Sequence, residues 1–233
     1  MKLFRGIRLK SLETSRIKKY LLYALGEIIL VVIGITLAVA INNWNVAQSE
    51  EKQQTIYLEN LVADIEKEIE QLRLNQIDVS KKLADIKMIK PFLGNDKTRR
   101  DSIVGKFFNL ARIINFYPEN TTYQTLINSG DMRLISDFEL RKSLETHYSN
   151  HSKTLQAYER IEKIHEKYLG DYFIYSLDFK AIYQGQHGFL DDPLVQNIIT
   201  SIEGAYFLLE GSNKKCLESN QQLLEKVNAV IKR

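Results

Sequence analysis

The chain has 233 residues, 44% of them hydrophobic and 26% charged, and its 11 glycines and 3 prolines are few enough for long helices. The net charge of +3 is small and the excess of basic residues lies at one end, which excludes a typical nucleic-acid-binding protein. Cys216 is the only cysteine, which excludes an intramolecular disulfide, a cysteine-based metal site and a redox pair.

The first 19 residues are strongly basic, and only Glu13 opposes their charge. Lysine and arginine next to a membrane segment favour the cytoplasmic side. Residues 1–19 are therefore expected to form a short cytoplasmic N-terminus. The basic residues are Lys2, Arg5, Arg8, Lys10, Arg16, Lys18 and Lys19.

Residues 20–44, YLLYALGEIILVVIGITLAVAINNW, predict a transmembrane helix. The part up to Ile41 contains one ionisable residue, and as a helix it is about 33 Å long, against a hydrocarbon core of about 30 Å. No small-x-small cleavage site follows, so a retained anchor is favoured over a cleaved signal peptide. The residues expected at the membrane interfaces are Lys18, Lys19, Tyr20, Tyr23 and Trp44.

The predicted span contains one acidic residue, Glu27, which shares a helical stripe with Gly34 and Ala38. Three interpretations are open. In the first, Glu27 is protonated or reaches the lipid headgroups. In the second, the stripe is a helix–helix interface. In the third, Glu27 couples proton movement, as in the energising subunits of proton-driven motors. The interface is favoured, because acidic residues inside membranes usually face protein.

Residues 45–233 are expected to form a helical domain outside the cytoplasm, which in a Gram-negative cell is the periplasm. Its first helix has apolar residues at alternating spacings of four and three, and neither glycine nor proline interrupts it before Pro91. The predicted buried seam consists of Leu58, Val62, Ile65, Ile69, Leu72, Gln76, Val79, Leu83 and Ile86.

Two further long helices are predicted, one capped by Asp137 and one capped by Asp192 with Pro193 in its first turn. Three helices of similar length predict an all-α fold, an antiparallel bundle that follows the transmembrane helix. The predicted seam of the second helix is Leu144, Tyr148, His151, Leu155, Tyr158, Glu162, His165, Leu169 and Tyr172. The predicted seam of the third is Leu194, Ile198, Ile202, Tyr206, Leu209, Cys216, Leu223, Val227 and Val230.

The insertion at residues 91–136 is expected to form a small helical cap at the tip farthest from the membrane. It contains a short helical pattern at 102–114 and a helix closed by Gly130. The connection between the second and third long helices, 178–192, is expected near the membrane. Its aromatic residues either fill the core of the cap, which is favoured, or form an apolar partner surface. The candidate surface residues are Phe107, Phe108, Phe116 and Tyr117.

The best candidates for metal ligands are His147 and His151, because a spacing of four places both imidazoles on one helix face. No third ligand is visible near them in the sequence. Glu162 and His165 have the Glu-x-x-His spacing of di-iron bundles, but no second such motif exists. The favoured interpretation is that His151 and His165 are hydrogen-bonded seam residues, and no metal, cofactor or catalytic site is expected.

The stretches YLLYALGEIILVVIGITLAVAINNWN and TYQTLINSGDMRLISDFELRKSLETHY resemble a family of small, membrane-anchored bacterial proteins known only as a domain of unknown function. The resemblance covers the anchor and much of the remaining chain, and GEIILVVIG with NNWN is its most specific part. It implies a bacterial single-span protein with a helical external domain. It implies no activity and no catalytic residue.

These observations predict a non-enzymatic interaction or scaffold protein of the inner membrane. Its expected partners are the lipid bilayer and either a second copy or another protein, bound through the transmembrane stripe or the bundle seam. One alternative is a periplasmic sensor that signals through a membrane partner, because fewer than twenty residues are cytoplasmic. The other is an accessory subunit of a proton-coupled membrane complex that uses Glu27.

Overall fold

The computed structural model describes residues 3–94 and 100–232, with side chains from residue 18 onward in those ranges. The described residues are helical without strands, which confirms the predicted all-α class. The α-helices are α1 (Leu3–Ile89), α2 (Asp101–Leu110), α3 (Thr121–Ser129), α4 (Phe138–Ile164), α5 (Asp171–Tyr175), α6 (Phe179–Tyr183) and α7 (Pro193–Ile231). Shorter 3-10 turns span Lys90–Phe92, Asp131–Leu134 and Gly188–Asp191, and a π-helical turn spans His165–Gly170.

The chain divides into two compact units, residues 1–54 and residues 55–233. The first unit belongs to α1, and in the described part of the chain it contains the one helical segment long and apolar enough to cross a membrane. From residue 18 onward the apolar side chains of this unit are exposed, including Tyr20 and Trp44. The hydroxyl of Thr36 donates to the carbonyl of Val32 at 2.7 Å, so this polar side chain is satisfied within the helix.

The predicted helix ends are confirmed where a side chain or a glycine defines them. The carboxylates of Asp137 and Asp192 accept hydrogen bonds from the amides of Leu140 and Leu194 and cap α4 and α7. Gly130 ends α3 with φ +76°, in the left-handed region that glycine adopts without strain. The helix predicted at 102–114 is shorter than expected, because α2 ends at Leu110.

The buried seam of α1 differs from the prediction in one of its two lines. Leu58, Ile65, Ile69, Leu72, Val79 and Ile86 are buried as predicted. The predicted positions Val62, Gln76 and Leu83 are only half-buried. The second line instead takes every seventh residue and consists of Leu61, Glu68, Asn75, Lys82 and Ile89. Three of these five residues are polar. The prediction, which followed apolar residues, therefore chose the positions one residue later in the chain.

The insertion returns along α1 and does not form a cap at its tip, so that prediction is wrong. Hydrogen bonds join later residues of the insertion to earlier residues of α1. They pair Asn75 Nδ2 with the Asn115 carbonyl (2.8 Å), the Tyr117 amide with Gln71 Oε1 (3.2 Å), the Glu119 amide with Glu68 Oε2 (3.0 Å), the Thr122 amide with Asp64 Oδ2 (3.0 Å) and the Tyr57 hydroxyl with Asp131 Oδ2 (2.7 Å).

Because the insertion brings the chain back, α4 runs parallel to the part of α1 that it contacts. Glu68 pairs with His151 and Asn75 with Tyr158, each at 2.9 Å, so both helices advance in the same direction. The predicted antiparallel order of the first two long helices is therefore wrong.

The third long helix, α7, runs opposite to α1. Asn220 contacts Glu68 at 2.8 Å, whereas the earlier residue Asn213 donates to the carbonyl of the later residue Leu72 at 2.9 Å. The connection 178–192 consequently lies at the C-terminal end of α1, where the Gly94 amide donates to the Leu190 carbonyl at 3.0 Å. This end is opposite to the one expected from the sequence.

The second unit has two hydrophobic clusters built from the same three long helices. One cluster contains Leu58, Leu61, Ile65 and Ile69 with Leu126, Ile135, Leu140, Leu144, Leu223 and Val227. The other begins at Leu72 and includes Val79, Ile86, Ile89, Phe107, Phe116, Tyr158, Ile202, Tyr206 and Leu209. Of the predicted seams, Glu162 and Leu194 are exposed, and Asn213 and Asn220 are fully buried although neither was predicted.

Candidate functional site

A set of buried polar side chains lies where the two hydrophobic clusters meet, and we call it the central polar layer. Helix α1 contributes one line of it and helices α4 and α7 contribute the others. Its members are Glu68, Asn75, His147, His151, Thr154, Tyr158, Asn213 and Asn220. Buried polar groups are expected to pair with each other, because an unpaired one loses its hydrogen bonds to water.

Glu68 is the centre of this layer, with 1% of its side chain exposed. Oε1 accepts hydrogen bonds from Nδ2 of Asn220 at 2.8 Å and contacts Nε2 of His151 at 2.9 Å. Oε2 accepts from the backbone amide of Glu119 at 3.0 Å. Burial alone raises the pKa of this carboxyl, but hydrogen bonding and charge interaction with the neighbouring histidines and Asn220 outweigh it and lower the pKa. Glu68 is therefore ionised at neutral pH.

The imidazoles of His147 and His151 face the same carboxylate oxygen. Their Nε2 atoms lie 3.1 Å apart, and Nε2 of His147 lies 4.0 Å from Oε1 of Glu68. Nδ1 of His147 contacts Oγ of Ser219 at 2.8 Å. Burial and the neighbouring His151 together lower the pKa of His147 to about 4 against the opposing effect of Glu68, so the His147 ring is neutral at physiological pH.

Aromatic rings pack against the two histidines. The ring of Tyr148 contacts both imidazoles edge to face, and the ring of Tyr123 stacks on Tyr148 with centroids 4.2 Å apart. Phe116 meets His151 edge to face at 6.3 Å. These rings contribute to the burial of the two imidazoles.

A cavity of about 310 Å³ between α4 and α7 reaches the two histidines. Its lining includes His147, His151, Thr154, Cys216 and Ser219. Burial raises the pKa of the Cys216 thiol to about 12, so Cys216 is protonated at neutral pH and is a poor nucleophile. A larger groove of about 1020 Å³, lined by Arg160, Tyr168 and Gly204 among others, lies farther along α4 and α7 and contains no residue of the central polar layer.

The arrangement offers one carboxylate oxygen and two imidazole nitrogens, all within 4.8 Å of one another. The sequence identified the two histidines, and the structure brings Glu68 to them as the third potential ligand. Glu68 was missed because ligands from different helices are not neighbours in the sequence. A signal was nevertheless present, since Glu68, Asn75 and Lys82 follow Leu61 at intervals of seven, as buried seam residues do.

The other histidine singled out in the sequence is buried but separate from this cluster. Nδ1 of His165 lies 2.8 Å from the Ile161 carbonyl and Nε2 lies 2.6 Å from the Leu110 carbonyl. Glu162 is exposed. His165 is therefore a hydrogen-bonded seam residue, and the Glu-x-x-His spacing does not place Glu162 and His165 in one site.

The candidate membrane residues lie in the first unit, where Glu27, Gly34 and Ala38 are exposed, as are Lys18, Lys19, Tyr20, Tyr23 and Trp44. The candidate partner surface of the second unit is mostly covered. Phe107 and Phe116 are buried in the hydrophobic core and Phe108 is half-buried against Phe173, whereas Tyr117 is exposed. Only Tyr117 and part of Phe108 are thus accessible to a partner.

Comparison with known proteins gives one finding about relatedness. The model of a family of unknown function matches residues 27–172, which include Glu27, Glu68 and both histidines of the cluster. The resemblance found in the sequence is thereby confirmed. No curated protein and no solved structure matches the chain.

Proposed function

This protein belongs to that family, DUF6090, and we propose that it is a non-enzymatic interaction or scaffold protein, anchored in the bacterial cytoplasmic membrane by a single span at residues 20–44. In this proposal residues 1–19 are cytoplasmic and residues 45–233 form a helical domain in the periplasm. The proposal concerns where the protein acts and how it associates.

The observation that carries the proposal is the exposed apolar surface of the first unit. The side chains from Tyr20 to Ile41 are exposed almost throughout, and Glu27 is the one acidic or basic residue in this stretch. So large an apolar surface is unfavourable in water, whereas lipid or a partner helix covers it. The basic N-terminus favours the cytoplasmic side for residues 1–19.

An association role is supported by the stripe of Glu27, Gly34 and Ala38. A methyl group built at Gly34 meets nothing within 4 Å, so the close-approach surface of this glycine is free within the chain. Small residues at such positions let two membrane helices approach closely, and an intramembrane acid favours a protein neighbour. A second helix on this stripe satisfies both requirements.

Thiol labelling in intact spheroplasts tests the orientation. The buried Cys216 is first replaced by alanine, and single cysteines are introduced by Ser11→Cys and by Ser176→Cys, the latter at an exposed position. A membrane-impermeant reagent is expected to label Ser176→Cys at once and Ser11→Cys only after permeabilisation. The reverse pattern contradicts the proposed topology.

Co-purification from native membranes, read by mass spectrometry, tests the association role. Recovery of the protein with copies of itself supports a scaffold. A recurrent kinase or regulator favours the sensor alternative, and a recurrent channel-like partner favours the accessory subunit of a proton-coupled complex.

A further inference from the structure

We propose that Glu68, His147 and His151 form a mononuclear binding site for a divalent transition-metal ion, with zinc as the best-fitting ion. Two residues come from consecutive turns of α4 and the third from α1, so the ion would join two helices in the middle of the second unit. This inference goes beyond the proposed function and does not depend on it, because the site lies wholly within residues 55–233.

The distances between the three donor atoms lie close to those of a metal centre. Oε1 of Glu68 and the two Nε2 atoms form a triangle with sides of 2.9, 3.1 and 4.0 Å. Zinc binds imidazole nitrogen at about 2.0–2.1 Å and carboxylate oxygen at about 2.0–2.2 Å, so a tetrahedral ion separates its ligand atoms by about 3.3–3.5 Å. Coordination of one ion therefore requires the two shorter sides to lengthen by about 0.2–0.5 Å and the longest side to shorten by about 0.6 Å.

Hydrogen bonding alone does not satisfy this arrangement as well. Nε2 of His151 lies close to both Oε1 of Glu68 and Nε2 of His147, but one N–H bond points well at only one acceptor. If Nε2 of His151 carries a proton and donates it to Glu68, Nε2 of His147 at 3.1 Å receives no hydrogen bond from it. If Nε2 of His147 carries a proton and donates it to Nε2 of His151, the Glu68 carboxylate lies 2.9 Å from a nitrogen that has no proton to donate. A cation between the three atoms attracts all three lone pairs at once.

The surroundings of the three donors resemble the outer shell of a metal site. Metal-bound histidines usually donate their other ring N–H to a neighbouring oxygen, and Nδ1 of His147 has Oγ of Ser219 at 2.8 Å for this purpose. The amides of Glu119 and Asn220 hold the Glu68 carboxylate in position.

The donor set decides the class of ion. Two imidazoles and one carboxylate disfavour magnesium and calcium, which prefer oxygen ligands only, and suit zinc and neighbouring first-row ions. Three protein ligands leave a further coordination position for water, and the cavity of about 310 Å³ beside both histidines provides room for it. The Cys216 thiol lies 3.9 Å from Oε1 of Glu68 and is not one of the three ligands.

Zinc titration of the full-length chain in detergent tests the proposal. The protein is purified with a histidine-free tag, stripped with a chelator and titrated with Zn²⁺ against a chromophoric competitor. One Zn²⁺ per chain is expected. His151→Gln and Glu68→Gln should weaken binding by more than about 100-fold, and Ser219→Ala, which changes only the outer shell, by about 10- to 100-fold.

His165→Gln provides the matched control, because His165 is equally buried but bonds only to backbone carbonyls. It should retain one Zn²⁺ per chain, and Cys216→Ala should do the same. X-ray absorption of the zinc-loaded chain should show nitrogen and oxygen ligands at about 2.0 Å, and a sulfur shell at about 2.3 Å contradicts the assigned ligands.

Two outcomes overturn the proposal. One is the absence of saturable Zn²⁺ binding to the unaltered chain while circular dichroism shows that it is helical. The other is unchanged binding in a helical His151→Gln variant, which identifies surface binding. If both ligand variants fail to fold, the unaltered chain still decides the question, since Zn²⁺ must raise its unfolding temperature and Mg²⁺ at equal concentration must not.

Discussion

The hydroxyl of Tyr158 on α4 donates a 2.7 Å hydrogen bond to Oδ1 of Asn213 on α7. The same hydroxyl accepts from Nδ2 of Asn75 on α1 at 2.9 Å. One oxygen atom therefore connects the three long helices in the central polar layer. Each such hydrogen bond adds only modestly to the stability of the fold. Removing one partner costs more, because the other buried group is then left without a hydrogen bond.

Tyr158→Phe is expected to lower the free energy of unfolding by about 1–3 kcal/mol, because it leaves Oδ1 of Asn213 and one N–H of Asn75 without a hydrogen bond. Chemical denaturation followed by circular dichroism measures this change. The matched control is Tyr206→Phe. The Tyr206 hydroxyl is buried without a hydrogen-bond partner among the described residues, so its removal should be neutral or stabilising. Equal destabilisation by both substitutions contradicts the role assigned to Tyr158.

Lys82 provides a test of pH dependence outside the predicted span. Its side chain is buried on α1 and its ammonium donates to the Asn109 carbonyl. Burial and, to a smaller extent, Arg112 lower the pKa of Lys82 to about 8, although Asp85 and Asp78 partly oppose the shift. In the unfolded chain a lysine has a pKa of about 10.4.

The unfolded state thus holds more protons than the folded state between about pH 8 and pH 10.4, and stability rises with pH in that range. The unfolding free energy of the unaltered chain minus that of Lys82→Met should therefore increase between these pH values and stay constant at lower pH. Lys81→Met removes the same charge from an exposed position and controls for net charge. A difference that falls with pH contradicts the burial of a charged Lys82.

Gly130 and Gly204 differ in backbone conformation, and alanine substitution separates the effects. Gly130 has φ +76°, so Gly130→Ala should destabilise the chain by about 1 kcal/mol through backbone strain. Gly204 lies within α7, and Gly204→Ala should stabilise it by about 0.5–1 kcal/mol, because alanine favours helix. A methyl group at either position meets nothing within 4 Å. Thermal unfolding of both variants measures the contrast.

The sequence predicted the helices well because their ends depend on local chemistry. Asp137, Asp192 and Gly130 act within one turn of their own positions, so their roles are readable without knowledge of the fold. The direction of α4 was not readable, because it depends on hydrogen bonds between α1 and residues about 40 to 75 positions later in the chain, such as that from Asn75 to Asn115.

The sequence predicted the two histidines of the candidate site but not Glu68, again because only local relationships are readable. His147 and His151 are one helical turn apart, so their spacing alone places them together. Glu68 lies on another helix, and hydrophobic periodicity assigns polar residues to the solvent side. Buried polar residues at seam positions break that assumption in α1 and again at Asn213 and Asn220 of α7.

The proposed role of Glu27 is tested by two substitutions within the span. If Glu27 has a polar partner on a second helix, Glu27→Gln should weaken association by less than about 1 kcal/mol, because an amide still forms an interhelical hydrogen bond. Glu27→Leu should weaken association more, since it leaves the partner group unsatisfied in lipid. Proton coupling predicts that Glu27→Gln preserves assembly and abolishes function, because an amide does not release a proton.

Gly34→Leu separates a helix–helix interface from a glutamate that only reaches the headgroups. Within the chain no atom lies within 4 Å of a methyl group built at Gly34, so a leucine there causes no clash in the single protein. At an interface the same leucine holds two helix backbones apart, and crosslinking in native membranes should fall several-fold. Leu30→Ile, which changes the shape of an exposed apolar residue without shortening or lengthening the span, is the control. Unchanged crosslinking of Gly34→Leu would falsify the interface, because a glutamate that reaches the headgroups needs no partner at Gly34.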